Sequence, residues 1–338
     1  MKSIVYELES PYTLVQKQLD LDDYRLASCD IVAETEYTAV STGTEIAAWA
    51  GKPPLRPSKP YPRLVGYCNL AKIIKVGSSI SDLFVGDYIL TRQSHRSAFI
   101  CNRSEVLLRV TVPSEVMRKK LTATYLYHLG YSALIAGIYK PGHQVAIIGM
   151  GTVGLATASL VKAFGSQPLL FTNQEIGKTP MTKMGFSSIF GKNISASEFR
   201  NQLWDTDGVD ISINTSNKWS DYRLALQLVR KGGEVICIGF PGRGEAPPDF
   251  NPLDSQYFYD KQLIIRQSGY MPDVDVRAID ARFTVKRNIQ YISGLILSGL
   301  VDTLDILSTE ISWLNLDTVY KSLASREPGM YSALINWR

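Results

Sequence analysis

The chain has 338 residues, of which 45% are hydrophobic and 20% charged, and its formal net charge at pH 7 is +4. These values exclude disordered, collagenous and membrane-spanning classes, and the length predicts two domains rather than a single core. The positive charges are scattered along the sequence, so no nucleic-acid partner is indicated.

The four cysteines lie far apart, at positions 29, 68, 101 and 237, without the spacing of a disulfide framework or a zinc knuckle. The first fifteen residues lack the apolar segment of a signal peptide, and the sequence has no run of about 18 apolar residues. We therefore expect reduced thiols, a cytoplasmic protein and no membrane partner.

The first hundred residues predict short strands separated by Gly, Pro and Asp turns, among them residues 30–34, 70–76 and 88–90. Strands this short and closely spaced are typical of a barrel-like module. The proline-rich residues 52–62 cannot form a helix or an inner strand and are expected to form an ordered loop.

The pattern changes near residue 118. Residues 117–139 carry apolar side chains at helical spacing, and Lys140-Pro141-Gly142 predicts the end of that helix. Beyond it, short apolar strands alternate with helices, which predicts parallel strands with helices on both faces. The predicted strands are residues 145–148, 168–172, 209–214, 233–238, 262–266 and 330–337, and the predicted helices are residues 155–164, 222–230, 283–298 and 316–325.

The segment Gly149-Met150-Gly151-Thr152-Val153-Gly154 joins the strand 145–148 to a helix. The first glycine permits a tight turn, the second lets the backbone approach a pyrophosphate, and the third lets helix and strand pack closely. Thr152 and Val153 lie at the positive end of the helix, which favours phosphate. The segment predicts a nicotinamide dinucleotide site; a tight turn without a ligand is the alternative.

The end of the next strand bears on the choice of nucleotide. An acidic residue there would accept a hydrogen bond from the ribose 2′-hydroxyl of NAD and repel a 2′-phosphate. Asn173 stands at that position, and Lys178 follows within reach of a phosphate. These residues favour NADPH, while Glu175 as a displaced ribose ligand keeps NADH open.

Several motifs resemble those of the medium-chain dehydrogenase/reductase superfamily, which includes alcohol dehydrogenases and quinone reductases. They are Val65-Gly66-Tyr67, Val76-Gly77 followed by Phe84-Val85-Gly86-Asp87, the glycine segment, and Gly232-Gly233 leading to Ile238-Gly239. The resemblance implies an α/β fold with two domains. A GroES-like β-barrel catalytic domain would comprise residues 1–131 and 271–338, and a Rossmann domain with a doubly wound parallel sheet would comprise residues 132–270.

The resemblance also implies where ligands and partners bind. The active site is expected at the carboxyl ends of the parallel strands. Further cofactor contacts are expected there from Thr215, Gly239, Phe240, Ser268 and Gly269. Edge pairing of residues 262–267 would form a homodimer, and the remaining partner is a small-molecule substrate.

Zinc-containing members of this superfamily hold a catalytic zinc with a cysteine, a histidine and a third cysteine or acid. In the matching segments of this chain, Thr42 replaces the cysteine and Tyr67 the histidine, and neither hydroxyl is a competent zinc ligand at neutral pH. The insertion with four cysteines for structural zinc is also missing. We therefore predict activity without zinc; the alternative, Cys68 with His95 or His128, lacks ligand spacing.

Residues 41–45, Trp49, Gly51, Pro53-Pro54 and Tyr61-Pro62 are similar to bacteriochlorophyllide a dehydrogenases and to related bacterial cyclitol or sugar dehydrogenases. The similarity implies a secondary alcohol and its ketone as substrate and product. It does not identify the compound.

Hydride transfer without a metal needs another group to polarise the substrate oxygen, and hydroxyls are the candidates. Thr44 matches the Ser or Thr that relays the substrate proton in zinc relatives, and Tyr67 occupies the vacated ligand position. Thr42 and Glu45 are expected beside them, with Glu45 orienting Tyr67. The alternative is that Tyr67 only packs in the core or at its rim.

The neighbouring polar residues Arg92, Gln93 and His95 are expected in a solvated loop, with contact to a polar or anionic substrate as the alternative. Three functions remain open at this point. The first is a zinc-independent alcohol or polyol dehydrogenase, or the matching ketone reductase. The second is a zinc-free enoyl or quinone reductase that uses NADPH, and the third is a dinucleotide-binding protein without turnover.

Overall fold

The structure is a computed structural model, which describes residues 1–55, 60–111, 114–173, 180–201, 203, 207–269, 271–273 and 276–338. The chain forms two compact units. The first comprises Met1–Leu126 and Pro272–Arg338, and the second comprises Tyr127–Met271. The sequence-based boundaries, after residues 131 and 270, lie close to these. Among the described residues, no helix has both the length and the apolar character needed to cross a membrane.

The strands are, in chain order, β1 Lys2–Ser10, β2 Thr13–Asp20, β3 Asp30–Ala39, β4 Arg63–Leu64, β5 Asn69–Val76, β6 Tyr88–Thr91, β7 Ala98–Asn102, β8 Leu108–Val110, β9 Val145–Ile148, β10 Leu169–Phe171, β11 Ile189–Phe190, β12 Val209–Asn214, β13 Val229–Cys237, β14 Ile264–Gln267, β15 Thr309–Ser312 and β16 Ala333–Asn336. The helices are α1 Thr42–Trp49, α2 Glu115–Leu121, α3 Thr124–Ala136, α4 Thr152–Ala163, α5 Pro180–Lys183, α6 Ala196–Arg200, α7 Trp219–Leu228, α8 Ser255–Phe258, α9 Val285–Leu297 and α10 Leu316–Ala324.

The first unit is built on two mainly antiparallel sheets. One has the strand order β2-β1-β4, and the other has the order β15-β16-β3-β5-β6-β8 with β7 also paired to β3. The C-terminal strand β16, whose partner the sequence did not identify, pairs with β3 so that Leu334 lies opposite Ala39. This pairing brings the last residues of the chain beside the segment that leads into α1.

The second unit is one six-stranded parallel sheet with the order β11-β10-β9-β12-β13-β14. Numbered within the unit, this is the 3-2-1-4-5-6 order of a doubly wound dinucleotide-binding fold, in which the order reverses between β9 and β12. Phe171, Val229 and other apolar side chains of the strands pack against α7 and Phe199 in a buried core. The predicted strands 145–148 and 209–214 have these bounds in the structure.

The helix predicted over residues 117–139 is wrong as a single element. It consists of α2 and α3, separated after Leu121. The hydroxyl of Thr122 donates to the Arg118 carbonyl at 3.0 Å, and that of Thr124 donates to the Leu121 carbonyl at 2.6 Å. Hydroxyls that bind nearby carbonyls compete with helical hydrogen bonds, and β-branched residues weaken a helix further. The helix also ends at Ala136, before the predicted stop.

Candidate active site

The glycine segment forms the turn between β9 and α4. Gly149 has φ 95°, and a Cβ added there would lie 2.9 Å from Thr215 Oγ1. A Cβ added at Gly154 would lie 1.9 Å from the Gly149 carbonyl oxygen, whereas one added at Gly151 would meet nothing within 4 Å. The protein's own atoms therefore fill the space beside the first and third glycines, and the space beside the second stays open.

The start of α4 presents backbone donors without a side-chain cap. Gly151 is the N-cap residue and supplies no side chain, and the first helical hydrogen bond runs from Leu155 N to the Gly151 carbonyl at 2.9 Å. The residues of the first turn, Thr152 to Gly154, present their backbone N–H groups at this end of the helix. Together with the positive helix end and the space beside Gly151, they fit the pyrophosphate of a dinucleotide.

The other predicted cofactor residues that the structure describes lie just after β10, β12, β13 and β14. Because the six strands are parallel, these residues lie along one edge of the sheet. The Thr215 hydroxyl donates to the Gly149 carbonyl at 2.6 Å, and a Cβ at Gly239 would lie 2.3 Å from the Ser216 carbonyl oxygen. Phe240 is exposed, and its N–H donates to Asn217 Oδ1 at 2.9 Å. Thr215 and Gly239 thus shape the glycine turn and its surroundings.

The remaining cofactor residues are distributed as follows. Asn173 is exposed just beyond β10, and Ser268 and Gly269 follow β14. The Ser268 hydroxyl is buried without a hydrogen-bond partner among the described residues. Lys178 and Glu175, on which the choice between NADPH and NADH partly depended, lie outside the described residues.

In the first unit, residues 41–45 form the start of α1, an element that the strand-based prediction for this region did not include. Ser41 is the N-cap residue, Thr44 is exposed and Glu45 is buried. The Thr42 hydroxyl donates to the Tyr331 carbonyl at 2.5 Å, which ties the helix to the returning C-terminal segment. Thr42 therefore has a structural partner in the position where zinc relatives have a cysteine.

Tyr67 follows the positive-φ residue Gly66 and lies beside α1. Its phenol forms hydrogen bonds with the hydroxyls of Ser41 and Thr44, and its ring meets that of Tyr125 edge-on at 5.5 Å. Burial raises the pKa of Tyr67 well above its ordinary value, and the neighbouring Cys68 and Glu45 add to the rise against smaller opposing effects of the two hydroxyls. The phenol is thus held as a protonated donor.

Polar side chains continue from Tyr67 through Tyr125. Arg92 forms a hydrogen bond with the Tyr125 phenol and an ion pair of 2.7 Å with Asp273. Burial raises the pKa of Tyr125, although the Arg92 guanidinium opposes the change. The Arg92 side chain is 40% exposed. Arg92 therefore lies at a solvated position near Tyr67, in agreement with its expected location.

The expected roles of Glu45 and His95 need correction. Glu45 does not bind Tyr67: its Oε1 accepts from the Ser41 N–H at 2.6 Å, and its Oε2 accepts from the Tyr320 phenol and lies 2.8 Å from His95 Nε2. His95 is not in a solvated loop but fully buried. The β6–β7 connection is held inside because His95 N donates to Val65 and Tyr6 N donates to His95.

Sequence reasoning named His95 but missed its burial and its hydrogen-bond partners. His95 Nδ1 lies 2.7 Å from Thr38 Oγ1, which also accepts from Trp337 Nε1 at 3.0 Å. A Cβ at Gly66 would lie 2.6 Å from His95 Cδ2, so the glycine next to Tyr67 makes room for the imidazole ring. Gly66 was the available signal, but these contacts join residues that are distant in sequence.

The donor atoms near Tyr67 do not fit a zinc ion. Thr42 and Tyr67 present hydroxyls that are already hydrogen-bonded, and burial raises the pKa of the Cys68 thiol well above its ordinary value, which disfavours the thiolate that zinc binds. In the described part of the chain, no group of three His, Cys, Asp or Glu side chains is arranged to hold a metal.

Comparisons with known proteins agree with the resemblance seen in the motifs. No protein-family model matches the chain. Over 207 residues, it is 25% identical to a sorbitol dehydrogenase of Bacillus subtilis (strain 168), a match that spans 60% of this chain but only 52% of the relative. Over 243 residues, it is 24% identical to an L-threonine 3-dehydrogenase of Burkholderia ambifaria (strain MC40-6), spanning 63% of this chain and 70% of the relative.

Solved structures share the fold over nearly the full length. The alcohol dehydrogenase TADH from Thermus sp. ATN1 superimposes with a TM-score of 0.78 at 18% identity, covering 98% of this chain and 99% of that one. A dehydrogenase from Sinorhizobium meliloti 1021, described as zinc-binding and bound to NADP, gives 0.74 at 16% identity, with 99% of each chain covered. An alcohol dehydrogenase from E. coli CFT073 complexed with NADH gives 0.78 at 11% identity, also with 99% of each covered. The sequence relatives are dehydrogenases at about one quarter identity, and the solved structures show that the chain has the fold of these alcohol dehydrogenases.

Proposed function

We propose that the protein is a zinc-independent NAD(P)(H)-dependent oxidoreductase that interconverts a secondary alcohol of polyol, cyclitol or sugar-like structure and its ketone. The observation that carries this proposal is the half-buried phenol of Tyr67, held by the Ser41 and Thr44 hydroxyls where zinc-containing dehydrogenases have a metal ligand. The start of α4 and the open space beside Gly151 support the binding of a dinucleotide.

A bound nicotinamide supplies or accepts the hydride of the reaction. Tyr67 then acts on the substrate oxygen: as a neutral phenol, it donates a hydrogen bond and finally a proton to the alkoxide that develops during ketone reduction. Thr44, which is exposed and bonded to the phenol, can return that proton from solvent. Thr44 thereby keeps its expected relay role, while Thr42 and Glu45 support α1.

The protonation state of Tyr67 favours one direction. Oxidation of an alcohol needs a base, and the raised pKa of Tyr67 disfavours the phenolate that would serve as one. Reduction needs an acid or a hydrogen-bond donor, which the neutral phenol already is. We therefore propose ketone reduction as the favoured direction, with NADPH as the preferred reductant because Asn173 rather than an acid follows β10.

A polar substrate is supported by the groups around Tyr67. Arg92, Tyr125 and Asp273 form a hydrogen-bonded and charged row that begins at the Tyr67 ring. Groups of this kind suit a ligand with several hydroxyls, since hydroxyls can both donate hydrogen bonds to and accept them from charged and phenolic side chains. The sorbitol and threonine dehydrogenases among the sequence relatives are consistent with a hydroxylated substrate.

The first experiment measures the thermal stability of the purified protein with NADH, NAD⁺, NADPH and NADP⁺, together with its metal content. We expect stabilisation by a nucleotide, largest with NADPH, and less than stoichiometric zinc. No stabilisation by any nucleotide would contradict the enzyme, and stoichiometric zinc would contradict zinc independence. Nucleotide binding without turnover on a panel of polyols, their ketones, enones and quinones would indicate a binding protein instead.

The second experiment tests Tyr67. In Tyr67→Phe, we expect kcat for ketone reduction to fall by about 10²-fold to 10³-fold, the usual effect of removing one donor to a developing oxyanion. Nucleotide stabilisation should be unchanged. Full activity of this variant on an enone or quinone would instead support the enoyl or quinone reductase, because conjugation stabilises the enolate without a phenol.

We also propose that the protein forms a homodimer through the β14 edge. In the described residues, β14 pairs on one side only, with β13. Light scattering after size-exclusion chromatography would give twice the chain mass. Ile265→Pro, which removes a backbone donor from that strand, should shift the mass towards the monomer, and a monomeric wild type would contradict the proposal.

A further inference from the structure

A buried chain of hydrogen bonds lies behind Tyr67 in the first unit. It runs from Trp337 through Thr38 and His95 to Glu45, and Glu45 in turn holds the backbone of Ser41. Its members come from β3, the β6–β7 connection, α1 and the C-terminal end. The chain ends at the residue whose hydroxyl binds the Tyr67 phenol.

The direction of each hydrogen bond can be assigned. An indole N–H only donates, so Thr38 Oγ1 accepts from Trp337 Nε1. If the Thr38 proton points to His95 Nδ1, that nitrogen is an acceptor and the ring proton is on Nε2, directed at Glu45. If Nδ1 carried the proton, the Thr38 hydroxyl would lose its acceptor among these partners. The Nε2–H tautomer therefore satisfies every donor and acceptor of the chain.

Glu45 completes the pattern through its two side-chain oxygens. It faces three donors: the Ser41 N–H, the Tyr320 phenol and His95 Nε2. Tyr320 is fully buried, and burial and the neighbouring Glu45 raise its pKa well above its ordinary value, so this phenol remains a donor.

We propose that Glu45 and His95 are positioning residues of the Tyr67 site: His95, as the Nε2–H tautomer, fixes Glu45, Glu45 fixes the N-cap of α1 through Ser41, and Ser41 fixes the phenol. The assignment of this role rests on the proposed function, since it treats the phenol as the acid. Among the described hydrogen bonds, the link from these two residues to the Tyr67 phenol runs through Ser41. They hold the phenol in place by contacts behind the reacting group, in the way that outer hydrogen-bond partners orient the ligands of a metal ion.

The tautomer is tested by ¹⁵N NMR of histidine-labelled protein at pH 7. The chain has three histidines, and the resonances that disappear in His95→Gln belong to His95. We expect one proton, bound to Nε2. A proton on Nδ1, or on both nitrogens, would overturn the assignment whether or not the protein has enzymatic activity.

The coupling to Tyr67 is tested with ¹³Cζ-labelled tyrosine, in which Tyr67→Phe identifies the resonance. In Glu45→Gln, we expect this resonance to shift and kcat to fall about tenfold to a hundredfold, the effect of a misplaced catalytic group, while KM changes less than about twofold. His95→Gln retains an N–H donor and should keep more of kcat than His95→Leu.

Glu36→Gln is the matched control, because Glu36 is also buried in this unit but its carboxylate pairs with Arg118 and Arg338 instead of Ser41 and His95. It should leave the Tyr67 resonance and kcat unchanged even if the protein becomes less stable. A folded Glu45→Gln with the wild-type Tyr67 resonance would overturn the positioning role. If Tyr67→Phe is fully active while that resonance still responds to Glu45→Gln, the proposed function fails and the positioning role stands.

Discussion

The glycine turn of the second unit and the Tyr67 cluster of the first are built in different ways. The turn is formed by backbone atoms of consecutive residues, and its tight contacts are with the Gly149 carbonyl and the nearby residue Thr215. The Tyr67 cluster is formed by side chains from residue 38 to residue 337, with Glu45 and His95 at its centre.

The two constructions respond differently to substitution. A backbone turn tolerates any change that leaves its φ angles and close approaches intact. What it requires is that its three glycines carry no side chain. The hydrogen-bonded cluster depends on the identity of each member, because removing one partner leaves another buried polar group unsatisfied. The following predictions would strengthen or break this contrast.

The largest effect is expected for His95→Leu. The change leaves the buried Glu45 carboxylate with two of its three donors and removes the acceptor of the Thr38 proton. Each buried hydrogen-bonding group left unsatisfied costs about 1–3 kcal/mol, and two groups are affected here, so we expect the free energy of unfolding to fall by about 3 kcal/mol. Urea denaturation followed by tryptophan fluorescence measures it.

His143→Leu is the control for His95→Leu, because His143 is half-buried in the second unit, apart from the cluster. It should change the free energy of unfolding by less than about 1 kcal/mol. If His95→Leu is as mild as this control, the cluster is not a cooperative unit and the contrast with the glycine turn is lost.

A pair of alanine substitutions separates structure from ligand binding in the turn. At Gly154, a methyl group would lie 1.9 Å from a backbone carbonyl, and we expect a loss of about 2–3 kcal/mol in the free energy of unfolding from overpacking. At Gly151, the methyl group enters open space, so stability should change by less than about 0.5 kcal/mol.

For nucleotide binding, Gly151→Ala is the more informative of the two variants. Because the open space beside Gly151 is where the pyrophosphate would approach the backbone, Gly151→Ala should abolish thermal stabilisation by NADPH although its fold is intact. Unchanged stabilisation in Gly151→Ala would show that the dinucleotide does not use this turn. Wild-type stability of Gly154→Ala would show that the turn is less tightly packed than the structure indicates.

The contrast also explains how far the sequence could predict the molecule. Gly149, Gly151 and Gly154 were assigned because a strand, a turn and a helix follow one another within one short segment. The two central strands of the parallel sheet, β9 and β12, also have the predicted bounds. Thr42 and Tyr67 were found by position relative to known motifs. Such local order is visible without knowledge of the fold.

The surroundings of Tyr67 could not be derived in the same way. His95 lies between two strands in a polar segment, which is typical of a solvated loop, and its burial depends on β3, α1 and the C-terminal strand packing around it. Glu45 was expected to orient Tyr67, yet Ser41 lies between them and binds both. Long-range side-chain pairing leaves no periodic pattern in a sequence.

The smallest effect is expected for Tyr222→Phe, which tests whether buried polar groups of the second unit are inert. Tyr222 lies in the apolar core under the parallel sheet, where burial, with a smaller contribution from Cys237, raises its pKa to about 12. In the unfolded chain, a tyrosine titrates near pH 10. The folded state therefore binds one proton more than the unfolded state between about pH 10 and pH 12.

This proton makes stability fall as the pH rises through that window, by up to about 1.4 kcal/mol per pH unit, whereas below pH 10 Tyr222 contributes no pH dependence. Tyr222→Phe should thus have the wild-type free energy of unfolding at pH 8, within about 0.5 kcal/mol, and a shallower loss above pH 10. Urea titrations at pH 8, 10 and 11 measure both, with the exposed Tyr259→Phe as control for loss of a phenol. A marked loss at pH 8 would mean that this phenol takes part in a hydrogen-bonded cluster like that behind Tyr67, and the second unit would then depend on side-chain identity as the first does.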